Sequence, residues 1–165
     1  MKFTFTIFLF LCTVLAFAQP KLEMTSKGFT PIELPTPNKP NEKLIEASKS
    51  WAAFYNKQGY DVYDVTESSL KIDALKKNAY LFRNLGETFS YDITYTLNIV
   101  FNADKTYKLQ FSVKQIYLKG TPVKTTIPDF FMPDGNLKED FSDVKPTLED
   151  TANKIAVSFS NFIVN

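Results

Sequence analysis

The stretch FSYDITYTLNIVF, residues 89–101, alternates large apolar and polar side chains almost without a break. The apolar members occupy every second position: Phe89, Tyr91, Ile93, Tyr95, Leu97, Ile99 and Phe101. The residues between them are polar, with Val100 as the exception. Successive side chains of a β-strand point to opposite faces. The pattern therefore predicts a long antiparallel strand with one face on a core and the other facing water.

A second strand is expected directly after this one. Residues Asn102–Lys105 have the chemistry of a tight turn, and apolar residues again occupy every second position from Tyr107 to Val113. The two segments predict a β-hairpin. After Val113 the apolar phase shifts, which indicates a bulge or a strand end near Gln115.

Upstream segments predict further strands. Tyr60–Thr66 is rich in Tyr and Val, and Leu70–Ala74 alternates, with Glu67–Ser69 between them as a turn. Phe29–Leu34 predicts another strand, which its proline restricts to a sheet edge or cuts short. The interval 76–87 is compatible with a continued strand, a packed loop or a short helical turn.

An apolar stripe at helical spacing predicts a first helix from about Pro40 to Lys57. Gly59 is placed to end this helix, since glycine readily adopts the left-handed conformation found after helix ends. Trp51 belongs to the stripe, and we interpret it as a core residue that covers the sheet.

A second helix is predicted by the apolar residues that recur from Leu148 to Ile163. Thr147, with Asp150 three residues later, fits a capping box at its beginning. The resulting element order is β-α-β-β-β-β-α. It predicts an α+β fold, a two-layer sandwich in which two helices pack on one face of an antiparallel sheet of about five strands.

The first eighteen residues have the features of a signal peptide. Lys2 supplies a positive charge, residues 3–15 are almost wholly apolar, and Ala16-Phe17-Ala18 forms a small-x-small cleavage site. The apolar run is too short to cross a bilayer. We expect a signal peptide over 1–18, a flexible mature N-terminus over 19–28 and a single α+β domain over 29–165. The protein is then exported, to the periplasm, the outer membrane or the medium, without a transmembrane anchor after cleavage.

The composition of the expected mature chain excludes several classes of function. Removing Lys2 with the leader leaves 18 basic against 18 acidic residues, and Arg83 is the only arginine. A nucleic-acid partner is therefore disfavoured, because phosphate binding favours basic, arginine-rich surfaces. The mature chain also has no histidine, and Cys12 lies in the leader. We expect no cofactor, no metal and no catalytic residue.

The residues around Lys49-Ser50-Trp51, the run Tyr91–Leu97 and the hairpin that follows resemble an exported bacterial domain of unknown function with a TATA-binding-protein-like fold. The similarity covers about Phe29 to Asn165. It implies an envelope or secreted protein of Bacteroides-type bacteria, without an established activity. The DNA binding of the protein that gives the fold its name does not transfer by fold alone.

Two surfaces are candidates for binding. The first is the polar face of the central hairpin, on which we expect a cross-strand pair between Asp92 and Lys114. Such a face suits a sugar, a peptide or another envelope component, although a merely solvated face has the same pattern. Its residues are Asp92, Thr94, Thr96, Asn98, Lys108, Gln110 and Lys114.

The second candidate is the segment from 119 to 146, which four prolines interrupt. Irregular loops of this length are often binding segments. Phe130, Phe131 and Met132 at its middle either present an apolar contact to a protein partner or fold back onto the domain.

The sequence therefore favours a non-enzymatic interaction module with an envelope protein or glycan as its partner. The alternative is a small carbohydrate- or peptide-active hydrolase that uses a carboxylate pair such as Asp92 and Asp73. Such an enzyme needs two carboxyl groups about 5–10 Å apart in a cleft, one of them with a raised pKa.

Overall fold

A computed structural model describes residues 20–164; the expected signal peptide and its cleavage site lie outside them. The strands are β1 (Met24–Thr25), β2 (Gly28–Phe29), β3 (Ile32–Pro35), β4 (Tyr60–Tyr63), β5 (Ser69–Asn84), β6 (Glu87–Phe101), β7 (Thr106–Leu118) and β8 (Thr121–Val123). The helices are α1 (Asn41–Tyr55) and α2 (Val144–Val164), with short 3-10 turns at Ile127–Phe130 and Glu139–Phe141.

The main sheet is antiparallel, with the strand order β3-β7-β6-β5-β4 and with β8 added to the end of β7. Strands β1 and β2 form a separate two-stranded hairpin. The predicted α+β class is confirmed. The helices carry their apolar stripes to one face of the sheet, as the sequence predicts.

The centre of the sheet is the stretch that alternates in the sequence. In β6 the side chains of Ile93, Tyr95, Leu97 and Ile99 are fully buried, whereas the residues between them are partly exposed. Burying each such side chain contributes about 1.5–3 kcal/mol relative to leaving it in water. The period of two therefore fixes which face of the sheet meets the helices.

Strand β5 continues through the interval that the sequence left open. It pairs with β6 from Ser69↔Val100 to Asn84↔Glu87, and the register shifts between Lys76 and Tyr80. Asn78 in this bulge has a φ of +51°, a left-handed conformation that asparagine adopts more readily than most residues. A second bulge lies in β7 after Val113, which confirms the irregularity predicted near Gln115.

Helix α1 packs through Trp51, which is fully buried. Its ring meets that of Phe159 edge to face with 5.3 Å between the centroids, and its indole N–H donates to Ser158 Oγ at 3.2 Å. The interpretation of Trp51 as a core residue is confirmed. None of the helices among residues 20–164 is long and apolar enough to cross a membrane.

Helix α2 begins earlier than expected, and the predicted capping box is wrong. The helix starts at Val144, so Thr147 already lies in its first turn. The Thr147 hydroxyl donates to the carbonyl of Asp143 at 2.6 Å rather than accepting from the backbone of Asp150. A capping box is instead formed by Thr126 and Asp129.

The expected flexible N-terminus is also corrected. Leu22 and Met24 are each only 1% exposed and belong to the core. The side chain of Asn153 on α2 accepts from Leu22 N at 2.9 Å and donates to Leu22 O at 3.0 Å. Glu149 accepts from Met24 N at 2.7 Å. The ordered domain therefore includes residues 22–28.

Candidate functional site

The face of the sheet that points away from the helices is open. Side chains from β4, β5, β6 and β7 share it, and none of those named here is buried. The set includes Tyr63, Lys71, Asp73, Thr94, Thr96, Asn98, Gln110, Ser112 and Lys114. The cross-strand pairs Asn98↔Gln110, Thr96↔Ser112 and Asp73↔Thr96 place these groups side by side. We call this surface the open face.

Asp73 is the centre of a hydrogen-bond network on the open face. Its carboxylate accepts from the hydroxyls of Thr96 at 2.6 Å and Tyr63 at 3.1 Å. The ammonium group of Lys114 forms a salt bridge with the same carboxylate. One acid thereby connects side chains from four neighbouring strands.

The network changes the acidity of its members. Burial raises the pKa of Asp73, but hydrogen bonds from Lys114, Thr96 and Tyr63 outweigh it, so that the pKa lies below its usual value. The hydrogen bond to Asp73 raises the pKa of Lys114. Both groups therefore remain charged at neutral pH and neutralise each other.

A second ion pair lies at the side of the face. Lys71 Nζ is 2.7 Å from Asp64 Oδ2 and 5.8 Å from the centroid of the Tyr63 ring. Two lysines of the open face are thus matched by acids. The remaining groups at its centre, Thr94, Asn98, Gln110 and Ser112, are uncharged donors and acceptors.

The predicted pair between Asp92 and Lys114 is wrong. Asp92 lies opposite Tyr117, and its Oδ1 accepts the backbone N–H of Asn78 at 2.8 Å. The bulge in β5 turns that N–H out of the strand ladder, and the bulge in β7 brings Lys114 to Asp73 instead. Asp92 therefore has a structural role in holding the β5 bulge.

The other predicted residues of the polar face are only partly gathered together. Thr94, Thr96, Asn98 and Gln110 lie on adjacent strands, whereas Lys108 lies opposite Val100 nearer the end of the hairpin. Tyr63 and Lys71 are further members of the open face that the sequence analysis does not predict. The alternation of β5 places Lys71 on the polar face of its strand. Only the register of β5 and β6 shows that Lys71 lies opposite Asn98.

The predicted apolar contact of the long loop is contradicted for two of its three residues. Phe130 is 1% and Phe131 8% exposed, and the Phe130 ring packs on Phe141 with 4.9 Å between centroids. The Phe130 ring also meets the ring of Tyr80 on β5 edge to face, with 5.9 Å between the centroids. Met132 alone is exposed, at 46%, so the three residues do not form a binding surface.

The positions of Asp73 and Asp92 do not favour the hydrolase alternative. Asp73 lies opposite Thr96 and Asp92 lies four positions away along β6, a separation of about 13 Å along the strand. The pKa of Asp73 is lowered rather than raised. Within residues 20–164, no group of three or more acidic, cysteine or histidine side chains is arranged to hold a metal ion.

The fold and the surface define an α+β domain with one covered face and one open polar face. It is similar to a DUF4468 family protein from Bacteroides ovatus, with a TM-score of 0.54, 9% identity and coverage of 86% of this chain and 85% of that one. A TBP-like protein from Parabacteroides distasonis matches with a TM-score of 0.47 and 12% identity, covering 78% of this chain and 83% of that one. No family model and no curated protein matches the chain.

These comparisons concern the fold alone, because the identities are low. The first match confirms the expected likeness to a bacterial domain of unknown function. The second structure is described as TBP-like.

Proposed function

We propose that this protein is a non-enzymatic binding module, exported to the bacterial envelope or medium, that holds an uncharged glycan of the envelope on its open face. The observation that carries the proposal is the arrangement of hydrogen-bonding side chains from four strands on a face that leaves them partly exposed among residues 20–164. A flat array of donors and acceptors matches the hydroxyl groups of a sugar chain.

The charges of the face support an uncharged ligand. Lys114 is matched by Asp73 and Lys71 by Asp64, so that a charged ligand gains little from either lysine. The central positions are left with Thr94, Asn98 and Gln110. No observation favours the hydrolase alternative, since its two acids are far apart and each has other hydrogen-bond partners.

The test is binding to a glycan microarray, followed by calorimetric titration with the oligosaccharide that binds best. We expect the double variant Asn98→Ala/Gln110→Ala to bind at least about tenfold more weakly, because two side chains that bond the ligand are removed. Gln58→Ala serves as the matched control, since Gln58 is exposed in the turn after α1.

Recovery of the oligosaccharide intact after incubation distinguishes binding from hydrolysis. The proposal is rejected if no glycan on the array binds, or if the double variant binds as well as the control. Cleavage of the oligosaccharide that is lost in Asp73→Asn supports the hydrolase instead.

A further inference from the structure

A cavity of about 320 Å³ lies between the end of α1 and the edge of β5. Tyr55 and the turn that follows the helix line one side of it, and Leu75, Lys76 and Lys77 line the other. Its volume is at the lower end of the range for small-ligand sites, about 300–1,000 Å³. None of the residues that define the open face lines this cavity. It is therefore a different part of the surface.

The pairing of β5 explains why the cavity stays open. Strand β4 begins at Tyr60, opposite Ala74, and beyond Ala74 no strand pairs with β5 on this side among residues 20–164. From Ala79 onward α2 covers the edge, since the Thr151 hydroxyl donates to the carbonyl of Ala79 at 2.6 Å. The cavity occupies the interval between these two covered stretches.

Lys76 stands at a position that the alternation of β5 gives to the core. Ile72 and Ala74 on the same face are buried, and Lys76 lies opposite the buried Ile93 of β6. Cross-strand partners share one face of a sheet, so the side chain of Lys76 is on the side of the helices. Its Nζ lies 5.8 Å from the centroid of the Tyr55 ring. This cation–π contact holds the ammonium group beside the cavity.

The cavity is positively charged. Lys57, Lys76 and Lys77 line it, and no acidic residue does. None of the three is in an ion pair in the part of the chain that the structure describes. Both lysines at the centre and side of the open face, in contrast, are matched by acids. Because the chain as a whole is close to neutral, this charge is local.

Neighbouring charges do not neutralise the three lysines. The C-terminal end of a helix carries about −0.5 charge, which leaves roughly +2.5. Lys154 on α2 acts electrostatically on Tyr55 but forms its own ion pair with Asp150 at 2.6 Å. Asp92, which bonds Asn78 in the bulge, lies on the opposite face of the sheet, with the polar positions of β6.

We propose that this cavity, which we call the lysine pocket, is a second binding site that takes a phosphate monoester group. Such a group carries about −1.5 to −2 charges and three acceptor oxygens at neutral pH. It therefore balances the lysines more fully than a single carboxylate does. Lysine binds phosphate as a point charge, so no arginine is needed. The lysine pocket does not depend on the function proposed for the open face.

Phe54 bears on the molecule to which the phosphate belongs. Its side chain is 67% exposed, and Lys57 Nζ lies 5.9 Å from the centroid of its ring. The ring also meets that of Phe162, with 6.0 Å between the centroids. An exposed aromatic side chain next to lysines suits the surface of a lipid bilayer, whereas a soluble phosphate ester has no need of it. The source is thus either a lipid head group or a soluble sugar phosphate.

The test measures binding of two probes that carry a phosphate monoester. Calorimetric titration is used for glucose 1-phosphate, and co-sedimentation for vesicles of phosphatidylcholine with phosphatidic acid. Glucose and vesicles of phosphatidylcholine alone are the controls without this group. We expect saturable binding of at least one phosphate probe, weakened by added salt because exposed charges are screened.

The double variant Lys76→Gln/Lys77→Gln should bind the phosphate probe about tenfold more weakly, because two of the three charges are removed. Lys21→Gln/Lys43→Gln is the matched control, since it loses the same charge at two exposed lysines that do not line the pocket. Lys57→Gln changes a single exposed side chain, should fold as the parent does, and should weaken binding about threefold.

Phe54→Ser identifies the source. With a lipid as the source, it should weaken vesicle binding at least about tenfold, and by much more than binding of glucose 1-phosphate. Leu85→Ser is its control, because Leu85 is 97% exposed on the turn between β5 and β6. With a soluble ester as the source, glucose 1-phosphate binds and the vesicles do not.

The proposal is overturned if neither phosphate probe binds better than its control without phosphate. It is also overturned if Lys76→Gln/Lys77→Gln and Lys57→Gln bind as well as Lys21→Gln/Lys43→Gln, since the attraction would then be that of the whole surface.

Discussion

The hydroxyl of Tyr95 on β6 donates a hydrogen bond to Oδ1 of Asn56, the residue that ends α1, at 2.8 Å in the buried interior. Burial raises the pKa of Tyr95, so the hydroxyl keeps its proton over the physiological range. The amide of Asn56 in turn donates to the carbonyl of Ala52 at 3.1 Å. The end of the first helix is thereby attached to the middle of the sheet.

Tyr95→Phe should lower the free energy of unfolding by about 1–3 kcal/mol, because it leaves Asn56 Oδ1 buried without its donor. Tyr107→Phe is the matched control. The Tyr107 hydroxyl bonds Ser160 Oγ at 2.8 Å, but Ser160 still donates to Ala156 O after the change. Urea unfolding measures the free energy of unfolding of both variants. Equal losses would contradict the larger cost expected when Asn56 Oδ1 loses its donor.

Asp73 should make the stability of the domain depend on pH. Because its pKa is lowered in the folded state, its contribution is complete above the ordinary value of 3.8 and is lost as the pH falls through the lower folded pKa. Asp73→Asn should therefore lose less stability than the parent between pH 5 and pH 2, which unfolding by urea across that range measures.

Asp61→Asn is the control for this pH dependence. Asp61 lies directly opposite Asp73 on β4, where like charges repel, and no ion pair holds it among the described residues. This variant should keep at least the acid-dependent loss of the parent, because removing the repulsion does not weaken the bonds to Asp73. A parent-like loss in Asp73→Asn would contradict the stabilising role of the network.

The turn between β5 and β6 should be open to stabilisation. Leu85 has a φ of +48°, followed by Gly86 at +82°, and the Leu85 side chain is 97% exposed. Asparagine tolerates this conformation better than leucine, and a β-branched residue tolerates it worse. Leu85→Asn should raise the free energy of unfolding by about 0.5–1 kcal/mol, and Leu85→Val should lower it. Thermal unfolding in which both variants shift in the same direction would contradict the expected backbone strain.

Shortening one buried and one exposed side chain of the long loop compares their contributions to stability. Phe130→Ala should lower the free energy of unfolding by about 3–5 kcal/mol, because it opens a cavity between Tyr80 and Phe141. Met132→Ala changes an exposed side chain and should shift it by less than about 0.5 kcal/mol. Calorimetry compares them directly; a small loss in Phe130→Ala would mean that the loop does not contribute to the core.

The parts of this fold that could be predicted are those with a repeating pattern. The alternation of residues 89–101 predicts β6 and its buried face, and the helical stripe around Trp51 predicts α1. The cross-strand partners are harder to predict from the sequence, because the bulges at 77–79 and after Val113 change which residues lie opposite each other. For that reason simple alternation pairs Asp92 with Lys114, although Asp73 is the partner of Lys114 in the structure.

Segments without a repeating pattern are the hardest to predict from the sequence. Phe130 and Phe131 lie among prolines and polar residues, so no period distinguishes a buried side chain there from an exposed one. For the same reason the sequence around Leu22 and Met24 predicts a flexible tail, since a two-residue strand is too short to produce a pattern. The point at which β3 stops pairing with β7 is likewise visible only in the register of the two strands.

The bonds between Leu22 and Asn153 join residues 131 positions apart. During synthesis the N-terminal end emerges first, yet it has no docking site until nearly the whole domain has been made. The central hairpin can pair much earlier, since its strands are neighbours in the sequence. Completion of the native state therefore waits for the last helix, and a chain truncated before α2 leaves its N-terminal segment without a partner.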